Sequence, residues 1–170
     1  IRGFNIHPGK AKNTMINAGW LAAELAGMFP KDETPRDTEG FEGFFHLTFC
    51  RGDVSSARLS YIIRDHSGEK FQYRLDQLSH IEKTLNEKYG PGTVKLTIRE
   101  QYRNMKEKLF DCMHLVEVAE EAMLALSVIP DKAPVRGGTD GSQLSFRGLP
   151  CPNLGTGGHS FHGPMEHITA

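Results

Sequence analysis

The order of the periodic segments in the first hundred residues constrains the fold of this chain more than any other feature. Four segments alternate between apolar and more polar residues, and this period of two predicts β-strands at residues 1–6, 44–49, 57–64 and 93–102. Two segments repeat apolar residues at spacings of three and four, which predicts amphipathic helices at residues 11–29 and 69–88. Turn-forming residues, such as Gly90-Pro91-Gly92, separate these segments.

The resulting order β-α-β-β-α-β is the split-βαβ, or ferredoxin-like, plan. Each predicted strand has one apolar and one more polar face. We therefore expect an α+β fold with a four-stranded antiparallel sheet and both helices on one face of it. Such a sheet leaves its other face and one edge open to a second chain.

Residues 105–170 predict a different kind of unit. A helix over 107–128 is apolar nearly all round, so we expect it to be buried on more than one side, although nothing obvious in this chain can bury it fully. The pattern after it predicts a strand at 133–135, a helix at 142–146 and a strand at 151–154. A strand, a helix and a strand with short loops are typical of the edge of an α/β sheet, so we expect an incomplete α/β segment, cut from a longer chain.

Composition excludes several classes of partner. Lys and Arg number 20 and Asp and Glu 21, a formal net charge of -1, so the basic surface that nucleic acid requires is missing. The longest apolar runs are far shorter than the roughly 20 residues of a membrane span. Three widely spaced cysteines form no C-x-x-C pair and suit a reducing compartment. We expect a cytoplasmic protein with no nucleic-acid or membrane partner.

Three polar side chains lie at or just after the ends of predicted strands, where substrate contacts often lie. His7 is either an exposed imidazole in a turn or a group that reaches a ligand. Arg64 is either a solvated arginine paired with Asp65 or an anion-binding arginine. Asn104 is a loop residue or a helix cap.

Two short segments near the C-terminus have residue types that suit binding. In Arg136-Gly-Gly-Thr-Asp-Gly141, three glycines would let a ligand approach the backbone, and the alternative is a strand-to-helix turn. His159, His162, His167 and Glu166 are metal-ligating types, but their spacing matches no self-contained zinc site. They are either ordinary loop residues or include one ligand of a site completed elsewhere.

Longer motifs stand in order along essentially the whole chain. They are His7-Pro-Gly-Lys-Ala-Lys12, Glu39-Gly-Phe-Glu-Gly-Phe-Phe-His-Leu47, Tyr61-Ile-Ile-Arg-Asp65, Tyr102-Arg-Asn-Met105, Arg136-Gly-Gly-Thr-Asp-Gly-Ser-Gln-Leu-Ser145 and Gly148-Leu-Pro-Cys-Pro-Asn153. With them the chain resembles the C-terminal part of the peptidase T family of tripeptide aminopeptidases. These belong to the di-zinc exopeptidases, together with carboxypeptidase G2-like enzymes and aminoacylases.

The resemblance implies a lid and dimerisation domain at 1–104 and the C-terminal part of a catalytic domain at 105–170. It implies a cytosolic hydrolase that removes the N-terminal residue of tripeptides, through a water activated by two zinc ions, and forms a homodimer through its lid. Most zinc ligands and the general base would lie outside this chain, so we expect the chain alone to be inactive and to hold no complete metal site.

The same resemblance assigns roles to individual residues. His7 matches the histidine that stabilises the oxyanion, Arg64 and Asn104 match positions facing the substrate, Arg136 matches the arginine at its terminal carboxylate, and His162 matches the final zinc ligand. The chain departs from the family at Pro164-Met165, where relatives have Lys-His. The alternative is therefore a lid module of a related di-zinc amidohydrolase that acts on dipeptides or acyl-amino acids.

Overall fold

A computed structural model describes residues 1–133 and 135–169 as a mixed helix and strand protein, consistent with the α+β class. The α-helices are α1 (Ala18–Gly27), α2 (Gly68–Tyr89), α3 (Lys106–Leu109), α4 (His114–Ala125) and α5 (Asp140–Phe146). The strands are β1 (Phe44–Gly52), β2 (Ala57–Arg64), β3 (Gly158–His159) and β4 (His167–Ile168). Single 3₁₀ turns lie at Pro8–Lys10 and Phe110–Cys112.

The chain divides into two compact units. The first comprises Ile1–Arg99 with Ala133–Gly137, and the second comprises Glu100–Lys132 with Gly138–Ala170. No helix within the described ranges is long and apolar enough to cross a membrane.

The first unit is built on an antiparallel hairpin and a long helix. Strands β1 and β2 pair from Phe44 opposite Arg64 to Gly52 opposite Ala57, as the alternating pattern predicts. Helix α2 begins after Ser67, whose hydroxyl accepts a hydrogen bond from the Lys70 amide, and it ends at Gly90 with a φ of 105°. The buried core combines Phe45 of β1 with Ile81 and Leu85 of α2, and it also includes three residues from outside the hairpin and α2: Leu21 of α1, Phe29 and Val94.

Helix α1 is shorter than the predicted 11–29 because a side chain caps it at Asn17. The Asn17 Oδ1 accepts hydrogen bonds from the amides of Gly19 at 3.0 Å and Trp20 at 3.2 Å. Asparagine at this position satisfies amides that the first turn of a helix leaves unpaired.

The predicted four-stranded sheet is not confirmed. Residues 1–6 form only isolated bridges, from Arg2 to Ser56 and from Phe4 to Ile16, and 93–102 contains no strand among its described residues. The backbone of Val94 is paired with a side chain instead of a strand. The Asn86 amide accepts from the Val94 N–H and donates to its carbonyl, both at 2.9 Å.

The second unit also differs from the sequence expectation. The predicted helix 107–128 is divided into α3, a 3₁₀ turn and α4, and α4 has no buried residue in this chain. The described part of the chain therefore does not bury this helix, as its apolar surface on all sides led us to expect. Residues 151–154 are not a strand, and in 133–135 residue 134 lies outside the described residues. The predicted helix at 142–146 is present and starts two residues earlier, at Asp140.

A buried guanidinium joins three parts of the first unit. Arg74 of α2 lies with its Nη2 2.8 Å from Oε2 of Glu33 and its Nη1 3.4 Å from Oδ2 of Asp65. The guanidinium carbon also lies 5.4 Å from the centre of the Phe45 ring. These contacts hold the segment before β1 against the end of β2, where Arg64 lies.

We predict that Gly43→Ala destabilises the first unit. A Cβ at Gly43 would overlap with the Asp65 carboxylate and lie 2.6 Å from the Arg64 carbonyl oxygen. Overpacking of this kind costs about 1–3 kcal/mol in the free energy of unfolding, measured by urea denaturation. Gly68→Ala is the matched control, because its Cβ meets nothing within 4 Å. Equal stability of the two variants would show that Gly43 is not held against Asp65.

Candidate functional site

His7 lies at the start of the first 3₁₀ turn, with its side chain exposed. Its Nδ1 accepts a hydrogen bond from the Gly9 amide at 3.2 Å. In the neutral ring the proton is therefore on Nε2, since one nitrogen of a neutral imidazole accepts and the other donates. The turn thus fixes the ring and leaves Nε2–H as its donor.

Arg64 is the last residue of β2 and is half-buried opposite Phe44. The Asp65 carboxylate, with only 1% of its side chain exposed, forms an ion pair with Arg74. The backbone position of Arg64 is consequently fixed by its neighbour.

Tyr61 belongs to the same strand and motif, but its hydroxyl is unsuited to acid–base work. Its ring lies against Phe29, with the ring centroids 4.5 Å apart. Burial, with a smaller contribution from the charge of Cys50, raises the pKa of Tyr61 to about 12. At neutral pH the hydroxyl therefore remains protonated.

Arg136 lies in the first unit and holds a turn of that unit. Its Nη1 donates to the Thr38 carbonyl at 2.5 Å, and its Nη2 donates to Thr38 Oγ1 at 2.6 Å and to the Glu42 carbonyl at 3.0 Å. The guanidinium carbon lies 4.9 Å from the centre of the Phe44 ring. The turn is also closed on itself, because the Glu39 amide donates to the Glu42 carboxylate at 2.9 Å.

These bonds limit how Arg136 can meet a carboxylate. A guanidinium binds a carboxylate at two points either through Nε and Nη2 or through Nη1 and Nη2. Nη2 takes part in both kinds of contact, and it has two N–H groups. Both are directed at acceptors in the turn. A two-point contact with a substrate carboxylate thus requires the turn at 38–42 to give up a bond.

The three glycines of the Arg136 motif have different surroundings. A Cβ at Gly137 would meet nothing within 4 Å, so this backbone faces open space. A Cβ at Gly138 would overlap with the Tyr102 ring, and one at Gly141 would lie 2.7 Å from the Cys151 carbonyl oxygen. Gly138 and Gly141 therefore make room for the protein's own atoms, and Gly137 alone of the three fits the expectation of ligand approach.

Asn104 lies in the second unit, just before α3. Its side-chain Oδ1 accepts a hydrogen bond from the Lys106 amide at 3.0 Å, and the residue is exposed. The bond closes a turn onto the backbone two residues further on, and the N-cap of α3 is Met105, which makes no side-chain capping bond.

His162 lies in the loop between β3 and β4, with a left-handed φ of 64°. Its amide donates to the Glu166 carboxylate at 3.2 Å, and the rings of His159 and His167 stack with their centroids 5.2 Å apart. Within the described residues, no three His, Cys, Asp or Glu side chains are grouped so that they could hold a metal ion. A structural zinc site takes four ligands, so these residues do not fit a complete site.

Sequence reasoning missed the groups that hold the candidate residues, above all Arg74, Thr38 and Ser142. One of them had a visible signal. Arg74 lies on the apolar stripe of α2, three residues after Phe71 and four before Leu78. A charged residue at such a position is buried only when it is paired.

We predict that Arg136→Ala loosens the turn at 38–42. The variant removes three hydrogen bonds from a charged donor, so amide hydrogen exchange in this turn should be faster by on the order of tenfold or more. Mass spectrometry of peptides covering the turn measures this. Arg36→Ala, at an exposed position of the same loop, is the control and should change nothing. Unchanged exchange in the Arg136 variant would contradict the clamp.

Comparisons with known proteins show which family the chain belongs to. Residues 1–93 match the family model described as the peptidase dimerisation domain. The chain is 52% identical to peptidase T of Alkaliphilus oremlandii over 168 residues, 99% of this chain and 41% of that protein. It is 52% identical to peptidase T of Clostridium perfringens strain 13 over 169 residues, 99% of this chain and 42% of that protein.

A third relative, peptidase T of Brevibacillus brevis, is 46% identical over 168 residues. The chain thus spans 41–42% of the length of the curated relatives that it matches. Since the family model covers more than half of its residues, the chain belongs to the peptidase dimerisation domain family of the M20 peptidases.

Proposed function

We propose that this chain is part of a zinc-dependent aminotripeptidase, which removes the N-terminal residue of tripeptides. Its identity of 52% to proteins named peptidase T over 99% of its length carries the proposal. In this proposal residues 1–104 are the lid and residues 105–170 the C-terminal part of the catalytic domain. The dimerisation family of residues 1–93 supports a homodimer formed through the lid.

The proposal includes the ferredoxin-like lid. In this plan the predicted strand at 1–6 lies between the predicted strands at 57–64 and 93–102. The backbone of Ile1 exchanges hydrogen bonds with Ala57 at 2.8 and 3.1 Å, while the Arg2 amide donates to the Thr93 carbonyl at 2.7 Å. The N-terminal residues therefore already lie between the neighbours that this plan requires, which supports it.

Four residues of the chain are proposed to contact the substrate. His7 would donate Nε2–H to the oxyanion, because its Nδ1 is occupied by the Gly9 amide. Arg64 and Asn104 would face the peptide. Arg136 would bind the terminal carboxylate by exchanging a bond to the turn at 38–42 for one to the substrate, beside the open backbone of Gly137.

His162 is proposed as one zinc ligand, with the remaining ligands supplied from outside this chain. The described residues do not assemble the site by themselves. We therefore assign His162 a ligand position and derive no reaction step from it. The cytoplasmic location stays a prediction.

We predict that His7→Ala in the longer polypeptide lowers kcat for a tripeptide much more than it raises KM. An oxyanion contact strengthens in the transition state, and loss of one donor typically costs about 100- to 1,000-fold in kcat. Steady-state kinetics measure this, and His80→Ala, at an exposed position of α2, is the control. An unchanged kcat would show that His7 only forms the turn and does not contact the oxyanion. Hydrolysis of dipeptides or acyl-amino acids but not of tripeptides would favour the related amidohydrolase instead.

A further inference from the structure

The segment that leads to Asn104 has no regular secondary structure to hold it. Residues 100–104 are in neither a helix nor a strand. Its backbone carbonyls must nevertheless find hydrogen-bond donors where they are shielded from water. For the Gln101 and Arg103 carbonyls the donors come from α5, which belongs to the same compact unit as residues 100–104.

We propose that Ser142 of α5 is a positioning residue that sets the place of Asn104. This inference rests on the proposed function, because it takes Asn104 to face the substrate. The Ser142 hydroxyl donates a hydrogen bond to the Arg103 carbonyl oxygen at 2.6 Å. This carbonyl belongs to the peptide group that joins Arg103 to Asn104. Ser142 is only 6% exposed, so water does not readily replace this donor.

Neighbouring residues of α5 and its preceding loop hold the same segment. The Gln143 side chain donates to the Gln101 carbonyl at 2.5 Å. The Tyr102 ring fills the space beside Gly138, where a Cβ would overlap with it. Residues 101, 102 and 103 are thus each held by the segment 138–143.

The start of α5 is itself fixed, so it serves as a rigid template. The Thr139 hydroxyl accepts from the Ser142 amide at 3.1 Å and caps the helix. Ser145, 3% exposed, donates to the Gly141 carbonyl at 2.7 Å and accepts from the Cys151 amide at 3.0 Å. These bonds hold the helix in place independently of Asn104.

The orientation of the Asn104 amide follows from the same backbone. Its Oδ1 accepts from the Lys106 amide at 3.0 Å, so a shift of this peptide segment turns the side chain with it. Loss of the Ser142 hydroxyl would leave the Arg103 carbonyl without this partner. A shift of about 1 Å at a substrate-positioning group lowers catalytic efficiency by up to about 100-fold.

The positioning itself is tested on the 170-residue chain. Ser142→Ala should speed amide hydrogen exchange at residues 104–106, Ser142→Thr should restore the slower rate because it keeps a hydroxyl, and the turn at 38–42 should not change. Ser79→Ala is the matched control, since its exposed hydroxyl donates only to the Leu75 carbonyl within α2. Unchanged exchange at 104–106 in Ser142→Ala would overturn the inference.

Its consequence is tested by a double-mutant cycle in the longer polypeptide. Asn104→Ala and Ser142→Ala should each raise KM for a tripeptide by up to about tenfold, and the double variant should be no worse than Asn104→Ala, because Ser142 acts through Asn104. Additive effects, or an unchanged KM in Ser142→Ala beside a raised one in Asn104→Ala, would overturn the inference. Faster exchange together with an unchanged KM in Asn104→Ala would support the positioning and instead refute the substrate role of Asn104.

Discussion

The ion pairs of the buried Arg74 guanidinium hold the end of the first unit at which the candidate residues Arg64 and Arg136 lie. A charge in a protein interior is tolerated only when it is paired, and breaking such a pair is strongly destabilising. Arg74, 7% exposed, is paired with Glu33 before β1 and with Asp65 after β2, and it covers the Phe45 ring. It therefore fixes the adjoining ends of two strands, which bear Arg64 and the Phe44 ring beneath Arg136.

Hydrogen bonds between side chains and backbone order the chain at or beside three of the candidate residues, Arg136, Asn104 and His7. Arg136 clamps the turn at 38–42 through backbone carbonyls and a hydroxyl, Ser142 holds the Arg103 carbonyl, and the Gly9 amide holds the His7 ring. Loops are thus ordered by side-chain bonds to the backbone rather than by strands. Such bonds let irregular segments keep polar side chains in fixed places, which binding and catalysis require.

Periodicity predicts the hairpin and α2 well, because each buries one face of a regular element. It predicts strands at 1–6 and 93–102 that the described residues do not form, since the bonds from Asn86 to Val94 join residues that no local period connects. The glycines of the Arg136 motif show a second limit. The sequence shows that residue 138 has no side chain, but only the structure shows that the Tyr102 ring fills the space beside it. Arg74, by contrast, could be recognised as a charge on an apolar stripe.

Under the proposed function, this chain provides the substrate-facing part of an aminotripeptidase, while most of the metal site lies elsewhere in a longer polypeptide. The most direct test measures zinc content and tripeptide hydrolysis in two purified samples, the 170-residue chain and the longer polypeptide that contains it. We predict that the longer polypeptide holds two zinc ions and hydrolyses tripeptides, and that the chain alone does neither. Tripeptide turnover by the homogeneous chain with two tightly bound zinc ions would contradict the claim.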